Sequence, residues 1–99
     1  VSMRGLDGRV AIVTGGSTLI GQAVVRRLHG DGMSVAIVDL DAPPAEALVA
    51  GLGDRALFTA TDITDDAQLE ACVAATADRF GGVDALVNLA CTYLDDGFA

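Results

Sequence analysis

The chain has 99 residues, 52% of them apolar and 20% charged, enough apolar side chain for one buried core and too much for disorder. Fourteen acids against six bases give a formal net charge of −8, and the six arginines are scattered with no lysine beside them. That argues against nucleic acid, whose phosphates need clustered cations, and no apolar run reaches the roughly 20 residues that span a membrane.

In chain order the pattern alternates between short apolar strands and amphipathic helices. Arg9–Thr14 is a β-branched apolar run that ends in glycines, the signature of a buried strand. A helix follows, with Ile20, Ala23, Val24, Val25 and Leu28 at helical spacing, and His29-Gly30-Asp31-Gly32 stops it. His29 reads as a solvated group at that helix end. Ser34–Asp39 is the second strand. Pro43-Pro44 suits the first turn of a helix that runs to about Ala50 and closes at Gly51 and Gly53. Arg55–Ala60 is the third strand. Thr64 is the expected N-cap of a third helix, with Asp65 and Asp66 at its positive end and Leu69, Val73, Thr76 and Phe80 on one face. After Gly81-Gly82, Asp84–Asn88 is the fourth strand. Near-continuous apolar strands joined by helices predict an α/β fold, a doubly wound parallel sheet of Rossmann type in the order 3-2-1-4.

The chemistry-bearing residues gather at the carboxyl ends of those strands, where open parallel sheets bind ligands. Thr14-Gly-Gly-Ser-Thr-Leu-Ile-Gly21 joins the first strand to the first helix and can set free N–H groups against a pyrophosphate. It lacks the strict G-x-G-x-x-G pattern. Gly16 and Gly21 have the P-loop spacing, but Gln22 and Ala23 follow where Lys and Ser or Thr are required, so that reading fails. Asp39 ends the second strand, where a carboxylate can accept both hydroxyls of an adenosine ribose and repels a 2′-phosphate; NAD is therefore expected over NADP. Asp62-Ile63 follows the third strand, and Asn88-Leu89-Ala90 ends the fourth. Cys72 and Cys91 have neither CxxC spacing nor a nearby histidine, and reduced thiols in a cytoplasmic protein are expected.

Together these features resemble the amino-terminal half of the short-chain dehydrogenase/reductase family, which reads T-G-x-x-x-G-x-G, an acid after the second strand, Asp-Val/Ile, then N-N-A-G. Thr14, Gly15 and Gly21 match the first motif, Asp39 the acid, Asp62-Ile63 the third, and Asn88 and Ala90 the last; the resemblance runs over roughly residues 6 to 91. It implies that the loop from Gly15 through Ser17, Thr18, Leu19 and Ile20 to Gly21 binds the pyrophosphate and adjoining ribose. Asp39 with Leu40 would hold the adenosine ribose, and Asp62 the adenine amino group, with Ile63 against the ring. Asn88 would steady the fourth strand, and Ala90, after Leu89, would line the nicotinamide-side ribose.

The resemblance further implies an NAD(H)-dependent oxidoreductase acting on a small-molecule alcohol or ketone, as a homodimer or homotetramer whose main interface helices fall beyond residue 99. Residues 1–99 are then expected to be the NAD-binding part of one catalytic domain of about 250 residues. The family's catalytic Ser and Tyr-x-x-x-Lys match no position here: four residues after Tyr93 stands Gly97, and there is no lysine. Leu19 replaces the middle glycine of the first motif, which leaves open whether it crowds the cofactor or points aside. Leu89 and Cys91 replace two residues of the last motif. Two other readings stay open at this point: a dinucleotide sensor without turnover, and a Rossmann methyltransferase.

Overall fold

The structure, a computed structural model, describes residues 5–90. It contains β1 (Val10–Thr14), α1 (Leu19–Gly30), β2 (Ser34–Asp39), α2 (Ala42–Leu52), β3 (Ala56–Ala60), α3 (Asp66–Phe80) and β4 (Ala85–Asn88). All strand pairs are parallel and the order is β3-β2-β1-β4, as the apolar pattern predicts. Thr14 lies opposite Val38 on one side and Asn88 on the other, and Asp39 lies opposite Ala60. That register lines up the carboxyl ends of all four strands along one edge of the sheet.

Side-chain alternation divides the core between the two faces. Ala11, Val13, Val35 and Ile37 pack with Val25 of α1 and with Ala45 and Leu48 of α2. Ile12, Ala36 and Val38 pack on the opposite face with Cys72 of α3. The first cluster is the larger, and β1 is buried at all five positions because strands lie on both sides of it. Among the described residues β4 lies at one end of the strand order, with Leu86 64% exposed.

Three strands start one residue later than their apolar runs suggest, because a polar residue stands at each entrance. An Arg9 Nη1 to Asp84 Oδ1 ion pair at 3.7 Å joins the entrances of β1 and β4, and Asp84 Oδ2 accepts the Val10 N–H at 2.8 Å. Arg55 turns its guanidinium onto the carbonyls of His29 and Met33.

The helices correct the sequence reading in four places. The N-cap of α3 is Asp65, whose Oδ1 accepts the Ala67 and Gln68 N–H groups, because the Thr64 hydroxyl is taken by Asp62 Oδ1 at 2.6 Å. The buried face of α3 is turned toward Cys72 and Thr76, leaving Val73 48% exposed. In α1 the buried positions are Gly21 and Val25, while Ile20 is 71% exposed. His29 is half-buried rather than freely solvated, with its Nε2 enclosed and without a hydrogen-bond partner. Burial and the nearby Arg55 charge hold this imidazole below the usual histidine value.

Candidate functional site

The turn after β1 is the floor of the site. Gly15 takes φ +74°, and a Cβ there would come 3.0 Å from the Ala90 N, so only glycine lets the loop lie against the end of β4. Gly21 sits closer still: a Cβ on it would stand 2.0 Å from the Gly15 carbonyl oxygen. The first turn of α1 is thus seated directly on the loop. Thr18 caps the helix, its hydroxyl donating to the Gly15 carbonyl at 2.8 Å and accepting the Gly21 N–H at 3.0 Å.

Ser17 ties this loop to the end of β2. Its N–H donates to Asp39 Oδ2 at 3.1 Å and its hydroxyl to the Asp41 carbonyl at 2.9 Å, while Gln22 Nε2 holds the Ser17 carbonyl at 2.8 Å. Asp39 Oδ1 accepts the Leu40 N–H at 2.7 Å and the Asp41 N–H at 3.3 Å. A carboxylate offers about four lone-pair sites, so three backbone donors orient Asp39 and leave it capacity for a ligand hydroxyl.

Beyond β3, Asp62 Oδ1 accepts both the Thr64 N–H at 2.9 Å and its hydroxyl, and the Asp62 N–H donates to Gln68 Oε1 at 2.8 Å. The Thr64 hydroxyl, then its N–H, hold this exposed carboxyl below the usual carboxylate range. Behind it Thr61, Cys72 and Thr76 are buried together; burial pushes the Cys72 thiol up against a smaller opposing pull from the two hydroxyls. At the end of β4 the Thr14 hydroxyl donates to Asn88 Oδ1 at 2.6 Å.

These ends enclose a cleft of about 230 Å³ lined by Gly15, Thr18, Val38, Asp39, Leu40, Thr61, Asp62, Ile63, Leu89 and Ala90. Eight of the expected site residues meet there. Ser17 is buried beneath Asp39, Gly21 is packed inside α1, and Asn88 is engaged with Thr14. Leu19 and Ile20 stand outside the cleft, 88% and 71% exposed at the start of α1. Thr61 and Val38 were not singled out in the sequence, since neither carries a signal apart from its neighbour in a motif. Cys91 and Tyr93 lie outside the described residues.

Whole-ligand pockets run to roughly 300–1,000 Å³, so this cleft suits part of an extended ligand. Its chemistry fits the adenosine end of a dinucleotide. An oriented carboxylate at Asp39 can take ribose hydroxyls, Leu40 and Ile63 offer apolar walls, and Asp62 keeps Oδ2 for an amino group. Where α1 begins, the leading N–H groups of the helix have no intrahelical acceptor and face an anion well. A second groove of about 410 Å³, beside Leu86 and Val73, is predominantly apolar and brings together no such group of polar atoms. Among the described residues no helix is long and apolar enough to cross a membrane.

The family profile described as short chain dehydrogenase matches residues 9–98. The chain belongs to the short chain dehydrogenase family. It is 40% identical over 88 residues to a sorbitol dehydrogenase of Cereibacter sphaeroides, covering 89% of this chain and 34% of that protein. It is 46% identical over 88 residues to a D-threitol dehydrogenase of Mycolicibacterium smegmatis, covering 86% of this chain and 34% of the relative. Among solved structures, a 3-ketoacyl-(acyl-carrier-protein) reductase of Brucella melitensis complexed with NADH superposes with a TM-score of 0.79 at 39% identity, covering 83% of this chain and 34% of that one. A 3-hydroxyacyl-CoA dehydrogenase type-2 of Mycobacterium avium superposes with a TM-score of 0.82 at 35% identity, over 92% and 36% of the two chains. The chain thus spans about a third of the length of these relatives. Membership in the short chain dehydrogenase family sets aside the methyltransferase reading.

Proposed function

We propose that this chain is the cofactor-binding part of an NAD(H)-dependent oxidoreductase acting on an alcohol or ketone, within one catalytic domain of about 250 residues. When bound, the nicotinamide supplies hydride transfer. The residues here bind and orient. Asp39, with Leu40 beside it, holds the adenosine ribose. Asp62 accepts from the adenine amino group, with Ile63 against the ring. The loop from Gly15 through Ser17, Thr18 and Leu19 to Ile20 faces the pyrophosphate, while Gly21 seats the helix behind it. Asn88, Leu89 and Ala90 form the wall toward the nicotinamide side. The relatives' dehydrogenase and reductase names, one of them complexed with NADH, support this reading. The same resemblance favours a cytoplasmic homodimer or homotetramer.

The observation that carries the reading is the setting of Asp39. Its carboxylate is fixed by three backbone N–H groups at the cleft, and among the described residues no arginine lines that cleft to receive a 2′-phosphate. Titration of the full chain with NADH and NADPH, repeated with Asp39→Ala, tests it. NADH should bind more tightly than NADPH, and the variant should lose about tenfold or more in NADH affinity while keeping its circular dichroism spectrum. Undiminished NADH affinity in the variant refutes the role of Asp39.

A further inference from the structure

Resting on that dinucleotide reading, we propose that Leu19 is an affinity-setting residue that holds the pyrophosphate back from the first N–H groups of α1. Five N–H groups of the loop and first helical turn are already engaged within the protein: Gly15 with the Val38 carbonyl, Ser17 with Asp39, Thr18 with the Gly15 carbonyl, Gly21 with the Thr18 hydroxyl and Gln22 with the Thr18 carbonyl. At the exposed start of the helix, the donors left for an anion are those of Leu19 and Ile20.

Leu19 is the first residue of that helix. In an α-helix each Cα–Cβ bond tilts toward the amino end, so the isobutyl group of the first helical residue leans past the end of the helix, into the approach to those two N–H groups. Core packing does not account for it, because Leu19 is 88% exposed. Backbone conformation does not call for glycine there either, since among the described residues no residue other than glycine has positive φ. The difference that Leu19 makes is therefore the side chain itself. A phosphate reaching these donors must displace or push aside an apolar group that offers it no hydrogen bond. The adenosine end, held by Asp39 and Asp62, is untouched by this obstruction and carries a correspondingly larger share of the binding.

The test uses the full chain with Leu19→Ala and Leu19→Gly, titrated with NADH, ADP-ribose and adenosine. Removing the isobutyl group should tighten NADH and ADP-ribose by about three- to tenfold, with Leu19→Gly gaining at least as much as Leu19→Ala. Adenosine, which has no phosphate, should bind all three proteins alike. Leu19→Ala changes an exposed side chain and retains helix propensity, so it keeps the test valid if the glycine variant frays. Unchanged or weaker NADH binding in both variants overturns the proposal, as does an equal gain for adenosine. If the parent chain binds NADH and loses it on Asp39→Ala while neither Leu19 variant tightens it, the cofactor reading stands and this inference alone fails. If neither the parent chain nor either variant binds NADH or ADP-ribose, both fall.

Discussion

The Thr14 hydroxyl donates to Asn88 Oδ1 at 2.6 Å, and Thr14 Oγ1 in turn accepts the N–H groups of Leu89 at 3.1 Å and Ala90 at 3.2 Å. One side chain at the end of β1 therefore fixes the exit of β4, which forms a wall of the cleft against Gly15. Thr14→Val keeps the shape and removes the oxygen, breaking the tie to Asn88 and weakening the hold on two backbone donors. It should cost about 1–3 kcal/mol of stability, whereas Thr14→Ser should recover most of that. Urea denaturation of the two variants measures the difference. Equal stability in Val and Ser variants would mean that the hydroxyl does not fasten β4.

Gly21 and Gly51 are both helical glycines, yet they should respond oppositely to alanine. A Cβ on Gly21 would meet the Gly15 carbonyl oxygen at 2.0 Å and the Gly16 Cα at 2.7 Å, all backbone that cannot swing away. Gly51 has nothing within 4 Å of such a Cβ. Gly21→Ala should destabilise by about 3 kcal/mol or more, and Gly51→Ala should be neutral or stabilise by up to about 1 kcal/mol. Thermal melts read both. A Gly21→Ala protein as stable as its parent would show that the loop and α1 are not seated as described.

Asp65 and Thr64 separate two roles that adjacent residues can exchange. Asp65→Ala removes the cap of α3 and should cost about 1 kcal/mol, while Thr64→Ala should change helix stability less. Thr64→Ala should instead act on Asp62, whose carboxyl the Thr64 hydroxyl and N–H together hold below the usual carboxylate range. A depressed carboxylate favours the folded chain above its unfolded-state pKa and loses that contribution as pH falls through the lower folded value. An NMR titration of Asp62 should therefore move upward in Thr64→Ala. No movement would assign the depressed titration to another cause.

His29 should make the protein acid-sensitive in a window distinct from that of the carboxylates. Its folded value lies below the ordinary 6.5 because burial and Arg55 disfavour the imidazolium. The unfolded chain then binds more protons than the folded one between those two values, so stability falls as pH drops below about 6.5 and levels off beneath the folded value. His29→Gln should flatten the denaturation midpoint between about pH 8 and 5.5 relative to the parent. An identical slope in both proteins would place the titrating group elsewhere.

Much of the site was legible because it depends on short-range periodicity. Alternating apolar runs and helical spacing mark four strands and three helices, and the right-handed crossover rule turns them into the order β3-β2-β1-β4. Once the strands are parallel, Asp39, Asp62 and Asn88 must fall along the same edge, so their shared location follows from chain position alone. Family membership, carried by Thr14, Gly15, Gly21, Asp39, Asp62 and Ala90, was equally readable.

The pairings within that edge were not. Ser17 meets Asp39 across 22 residues, and Thr14 meets Asn88 across 74, distances at which local spacing says nothing about which donor finds which acceptor. Thr64 and Asp65 are both good caps by type, and the choice fell to Asp65 only because Asp62 turned back to take the Thr64 hydroxyl. His29 reads as solvated from its place at a helix end, whereas packing encloses its Nε2. Sequence by itself determined which residues lie at the ends of parallel strands, because periodicity and chain direction are local properties. Only the tertiary structure decided which side chains orient the loop and which, like Leu19, stay exposed beside it, because those outcomes depend on segments brought together by the packed sheet.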